Sequence, residues 1–168
     1  YIEDNLNINI NTKYYFNNDK NNKSNLGDAQ ILVIKNNSQN FKINSTFSNK
    51  NNKINISEIK NFLKLKDSFL PNQDIIFDSK NSLSFELNKK NQIKNYKLNS
   101  NLKVNELEIF YKDERLNKLI PDYKNKVFLK ETLFDFNISD NSRKIKSKGE
   151  YSIEKKESGN FNILLNQE

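Results

Sequence analysis

The side chains with the most obvious chemical potential are carboxylates set close together, Glu106 with Glu108 and Asp113 with Glu114. Such pairs divide general-acid and general-base roles in hydrolysis. Their setting argues against that use. Glu106 and Glu108 alternate with Leu107 and Ile109, as the wet side of a half-buried strand does. The chain has no His and no Cys. The usual base at neutral pH, the commonest transition-metal ligand, thiol chemistry and disulfides are therefore all missing. A Ser nucleophile would need another base, and no Gly-x-Ser-x-Gly elbow is present. Gly27, Gly149 and Gly159 stand alone, so there is no glycine-rich phosphate loop. There is no EF-hand loop, and the Asp and Asn of turns would hold Ca²⁺ only weakly. The expectation is a protein that is not an enzyme, with no cofactor and no metal.

Composition points the same way. The 168 residues include 33 Asn and 26 Lys against 2 Arg, 3 Gly and 2 Pro. Asn, Lys, Ile, Phe and Tyr have A/T-rich codons, so this bias reports mutational pressure more than function. The formal charge of +7 comes from Lys scattered along the chain. Arg, which does most bidentate phosphate and guanine recognition, is nearly absent, and nucleic-acid binding is not expected. Asn44-Ser45-Thr46 and Asn137-Ile138-Ser139 match the glycosylation pattern, but Asn is so frequent that such matches arise by chance. No apolar run approaches the roughly 20 residues of a membrane span, and no signal peptide is seen. The chain begins Tyr1-Ile2-Glu3 without Met. It is expected to be a segment of a longer protein, with any anchor outside it.

The elements that would position these residues are mainly strands. Leu6, Ile8, Ile10, Thr12, Tyr14 and Phe16 alternate with Asn5, Asn7, Asn9, Asn11 and Lys13, the period-two pattern of a half-buried strand. Ala29 to Ile34 is the most continuously apolar stretch in the chain, which suits a strand covered on both sides. Phe41, Ile43, Ser45 and Phe47 alternate, Lys50 to Lys53 read as a turn, and Ile54 and Ile56 follow. At Ser57 the period becomes helical through Ile59, Phe62, Leu63 and Leu65, with Ser57 as the N-cap. This predicts a helix over 57–65. Further strands are expected at Ile75 to Phe77, Leu83 to Leu87 and Tyr96 to Val104. A parity change before Leu107, Ile109 and Tyr111 predicts a β-bulge. A second helix is predicted over 114–120. Strand segments at Val127 to Leu129, Phe134 to Ile138, Ile145 to Ile153 and Phe161 to Leu165 complete about ten or eleven short strands in an antiparallel meander.

A repeat runs through this pattern. Leu70-Pro71 followed by Phe85 and Leu87 is echoed by Ile120-Pro121 followed by Phe136 and Ile138. Self-similarity at such a spacing marks stacked units. The whole of 1–168 is thus expected to be one β-rich segment, with repeat units at about 54–111 and 112–165. If the sheet closes as a β-sandwich, its apolar face is only a core, and the chain is a binding or adhesion module at a cell surface. If it curls without closing, into an open groove or taco-like β-solenoid, the apolar face suits acyl chains. Such chains need exclusion from water and little directional bonding.

Ser57-Glu58-Ile59-Lys60-Asn61-Phe62-Leu63, then Leu70-Pro71 and a renewed strand pair, with Asn/Lys-rich alternating strands, resemble the repeating region of the AsmA-like family of TamB/YhdP type. The resemblance covers roughly 54–165 and rests on pattern, without a catalytic motif. It implies a periplasmic protein of a Gram-negative bacterium, held to the inner membrane by an anchor outside this segment. Its β-groove would carry phospholipid toward the outer membrane. The residues carried over as groove lining are Leu83, Phe85, Leu87, Leu98, Leu102, Phe134, Phe136, Ile138, Tyr151 and Ile153.

Overall fold

The computed structural model describes residues 5–15, 26–35, 40–57, 71, 73–112, 114–120, 123–153 and 157–167. Eight strands form one antiparallel sheet whose spatial order is the chain order. They are β1 (Leu6–Tyr15), β2 (Leu26–Lys35), β3 (Phe41–Asn55), β4 (Asp74–Leu87), β5 (Ile93–Phe110), β6 (Lys126–Ser139), β7 (Arg143–Ile153) and β8 (Glu157–Gln167). The sheet is not closed, and β1 and β8 are its edges. Among the described residues there is no second sheet, so the two-sheet sandwich is not the architecture.

The strands are fewer and longer than the sequence pattern suggests, because several breaks in alternation are bulges and not turns. Lys50 to Lys53, read as a turn, lies inside β3. There the register slips between Asn49 and Asn52, and Asn51 takes a φ of 53°. Asn tolerates this left-handed backbone better than most side chains do, so one extra residue is absorbed without ending the strand. The β4–β5 register shifts between Ser84 and Glu86, next to Asn95 at φ 53°. In β6, Glu131 at φ 44° lies within the shift between Lys130 and Leu133 relative to β7.

The parity change in β5 falls at the same level. Val104 and Leu107 pack into one cluster although three positions apart, while the β5–β6 register runs on from Val104↔Thr132 to Leu107↔Leu129. Both strands therefore change parity together, and the apolar residues stay on one side.

The most deeply buried apolar cluster is Ile54, Ile56, Ile75, Phe77 and Val104, with Leu102, Leu107 and Phe134 against it. Cross-strand pairing builds it, since Ile54 opposes Ile75 and Phe77 opposes Val104. Each fully buried side chain of this type contributes about 1.5–3 kcal/mol. Burial is thus centred on β3, β4 and β5, and β2 is not the doubly covered strand that Ala29 to Ile34 suggests. Only Ala29 in that run is buried, and Ile31 to Ile34 are half-buried. Among the described residues there is one sheet and no layer over either side of it, so this run is not covered twice.

The connections β3–β4 and β5–β6 leave the same end of the sheet, as every odd-to-even turn of a meander must. Asn55 Oδ1 accepts the Ser57 backbone N–H at 2.9 Å and the Ser57 hydroxyl at 2.6 Å. Asn55 thereby takes a capping role two residues ahead, and the residues that Ser57 would cap lie outside the described ones. Beyond Ser57, the helix predicted over 57–65 lies outside the described residues. In the second connection, Glu114–Leu119 forms helix α1. Leu119, on this helix, is 77% exposed. Tyr123 is buried instead, and its hydroxyl donates to the Tyr111 carbonyl. Pro71 is described and Pro121 is not, so the paired prolines cannot be compared.

The glycines mark close approaches across strands. Gly27 and Gly159 lie beneath the rings of Tyr14 and Tyr151, their direct cross-strand partners. At Gly149 a Cβ would stand 2.9 Å from the Thr132 Cα and 3.1 Å from the Lys130 carbonyl oxygen. Those are backbone atoms of the β6 bulge and cannot swing away. Gly149→Ala is therefore expected to lower unfolding stability by about 1–3 kcal/mol, read from the urea midpoint at unchanged slope.

Candidate functional site

Cross-strand partners share a face, so the register assigns every strand residue to one side of the sheet. Leu83 opposes Leu98, which opposes Ile138; Leu102 opposes Phe134; Phe136 opposes Ser100 and Ile145. Tyr151 opposes Leu129 and Ile153 opposes Val127. All ten residues named as groove lining fall on the same face, and each is half-buried. Phe134 and Phe136 stack with centroids 6.3 Å apart and planes at 14°. At one end Leu83, Phe85, Ile93 and Tyr96 line a shallow depression with Asp140.

The face extends well beyond those ten. Ile43 opposes Val33, which opposes Ile8; Ile31 opposes Ile10; Ile145 opposes Leu165; Ser147 opposes Ile163. It is one apolar surface running from β1 to β8. Among the described residues no other element lies over it, and extensive contacts join only consecutive strands.

Two features depart from the uninterrupted, uncharged groove expected from sequence. A chain of polar side chains crosses the apolar face. Asn49 Oδ1 accepts from the Tyr14 hydroxyl at 3.4 Å and from the Ser79 hydroxyl. Asn81 donates its amide to the Ser79 hydroxyl at 2.9 Å and accepts from the Ser100 hydroxyl at 2.5 Å. The Tyr14 phenol is pushed up, first by burial and then by the Asp28 carboxylate, so it stays protonated and able to donate. Tyr14 reaches over Gly27 to Asn49, and its ring meets Phe47 edge to face at 6.3 Å. Of this row only Ser100 was legible, because it falls within the alternating apolar set from Tyr96 to Val104. Asn49 and Asn81 were not, because an Asn in an Asn-rich chain reads as wet surface. The second departure is charge. Lys35 and Arg143 take positions on this face at one end of the sheet, and the Lys35 ammonium lies 5.7 Å from the Phe41 ring centroid.

The opposite face is polar. Glu106 opposes Lys130, and Glu108 pairs with Lys126 at 2.8 Å. The two carboxylates thus lie among lysines on the polar side, away from the apolar face, and Asp113 lies outside the described residues. Among the described residues no cluster of three or more acidic, His or Cys side chains is arranged for a metal ion. Lys103 pairs with Glu131, whose carboxylate holds the ammonium above its usual range.

Asp74 accepts from Lys53 at 2.7 Å and from Asn55 at 2.8 Å, and these two bonds hold its carboxyl below the usual range. A carboxylate with a lowered folded pKa stabilises the fold above its unfolded pKa and loses that effect as pH falls through the folded value. Asp74→Asn should therefore melt slightly below the parent at neutral pH. The gap should close as pH falls through the lowered pKa of Asp74, beneath the usual carboxylate range, as thermal melts across pH would show.

Comparison with family models, curated proteins and solved structures returned no match. The functional reading therefore stands on the geometry of the face and on the strand pattern.

Proposed function

We propose that this chain is a non-enzymatic segment of an AsmA-like envelope protein, and that its apolar face takes up phospholipid acyl chains on their way between the inner and outer membranes. The observation that carries this reading is a face apolar across all eight strands with no covering layer among the described residues. A soluble monomer rarely exposes a contiguous apolar patch beyond a few hundred Å² unless something binds there. Acyl chains fit because the face offers wide apolar contact and few polar groups, as sliding without a fixed site would require.

In this reading the sheet curls about the apolar face into an open groove, leaving headgroups in water. The hairpins β4–β5 and β6–β7, each following a long connection, are the repeat units of about 54–111 and 112–165. The protein works in the periplasm, tethered to the inner membrane by sequence outside this segment.

Native mass spectrometry after gentle purification tests the proposal directly. Adducts with phospholipid masses, lost on delipidation and regained on adding phospholipid, are the expected result. Folded protein that stays lipid-free in the presence of phospholipid vesicles would sink it.

A further inference from the structure

We infer that the polar row crossing the apolar face ends in a subsite for an acyl ester carbonyl, held by the amides of Asn49 and Asn52. This inference rests on the acyl-chain reading above. The hydrogen bonds of the row have a direction. The Ser100 hydroxyl donates to Asn81 Oδ1, Asn81 Nδ2 donates to Ser79 Oγ, and the Ser79 hydroxyl donates to Asn49 Oδ1. Tyr14 donates to the same Asn49 oxygen. Ser79 Oγ already accepts from Asn81 and has its proton left to give, which fixes the way the Asn49 amide faces. The row therefore ends on Asn49 Nδ2, a donor with no partner among the described residues.

Asn52 is the next residue of β3 on this face, since the bulge sets Asn49 against Ser79 and Asn52 against Phe77. It is fully buried, and neither its amide nitrogen nor its oxygen has a partner among the described residues. Asn49 is buried as well, at 7% exposed. Leaving buried donors unpaired is costly. Packing does not account for two such amides side by side, because a Leu would fill the same space without that cost.

The acceptor that suits them is uncharged. The row contains no cation, and Lys35 and Arg143 stand away from it at one end of the sheet. The Asp28 carboxylate acts on Tyr14, and its negative charge disfavours a phosphate or a free carboxylate here. A neutral carbonyl remains, and a phospholipid carries one at the head of each acyl chain. Apolar residues flank the row on both sides, Leu83 and Leu98 toward one end of the strands and Phe77 and Val104 toward the other. An ester on the two amides would lay its chain along one flank. The row thereby becomes a resting point on a face along which chains otherwise slide.

Competition between two phospholipids tests this. The 168-residue chain is offered equal amounts of a diester phosphatidylcholine and the diether with the same chains and headgroup, and bound lipid is read by native mass spectrometry. The ether lacks only the carbonyls. The expected result is a preference for the diester of roughly three- to tenfold, the worth of one neutral hydrogen bond. Asn49→Leu and Asn52→Leu should each bring the preference toward parity while binding the diether as the parent does. Asn49→Leu also strips the acceptor from Tyr14 and Ser79. Asn52→Leu breaks no hydrogen bond among the described residues, so it decides the matter should the first variant fail to fold by circular dichroism. No diester preference in the parent, or an undiminished one in folded Asn52→Leu, overturns the inference and leaves the acyl-chain reading in place. Uptake of neither lipid removes both.

Discussion

Val104→Asp is expected to abolish cooperative folding. Val104 is 2% exposed, opposes Phe77 and Thr132, and sits where β4, β5 and β6 meet within the buried apolar cluster. A carboxylate there would sit among Ile75, Phe77 and Leu102, and burying a charge in apolar surroundings costs several kcal/mol even when it escapes by taking up a proton. Domains of this size are stable by only about 5–15 kcal/mol, and this one rests on a small cluster in a single sheet. Val104→Ala, by contrast, removes only methyl groups and should cost about 2 kcal/mol while leaving a cooperative transition. Urea unfolding followed by circular dichroism separates the two. A folded, cooperative Val104→Asp protein would show that this cluster is not what holds the sheet.

The second large effect is on lipid and not on folding. Phe85 and Phe136 lie on the apolar face but are half-buried and outside the most buried cluster. Phe136 loses its stacking on Phe134 when replaced, and Phe85 loses its place in the depression with Leu83 and Tyr96. Half of a Phe burial amounts to about 1.5 kcal/mol for each, which a folded sheet can survive. The double variant Phe85→Asp, Phe136→Asp is therefore expected to fold, with a lower urea midpoint, and to lose phospholipid binding by at least about tenfold. A charge placed against an acyl chain has no partner, and tenfold corresponds to only about 1.4 kcal/mol. Native mass spectrometry and circular dichroism on the same sample give both answers. Unfolding would make the face an ordinary core, and undiminished lipid would place the acyl chains elsewhere.

Much of the architecture was written in the alternation. Leu6, Ile8 and Ile10 against Asn7, Asn9 and Asn11 specify a strand and its wet side, because side chains in a strand repeat every two residues. The ten residues named as lining fall on one face for the same reason. The breaks in alternation were ambiguous. Lys50 to Lys53 has turn composition, and only the pairing with β4 shows that Asn51 absorbs an extra residue inside a continuous strand. A bulge and a turn both interrupt the period, and partners distant in sequence decide between them.

Glu106 and Glu108 lie on the polar face as their alternation said. Leu70 and Pro121 lie outside the described residues, so neither the Leu-Pro nor the Ile-Pro joint is described whole.

The sequence by itself determined an all-antiparallel β chain with one apolar side and one Asn/Lys side, because that division follows from local period alone. Only the tertiary structure decided that all eight strands join one open sheet, that the bulges in β5 and β6 coincide so the face stays apolar, and that Tyr14, Asn49, Ser79, Asn81 and Ser100 link across it. Those features depend on which strands become neighbours and in what register, and hydrogen bonding between residues far apart in the chain sets both.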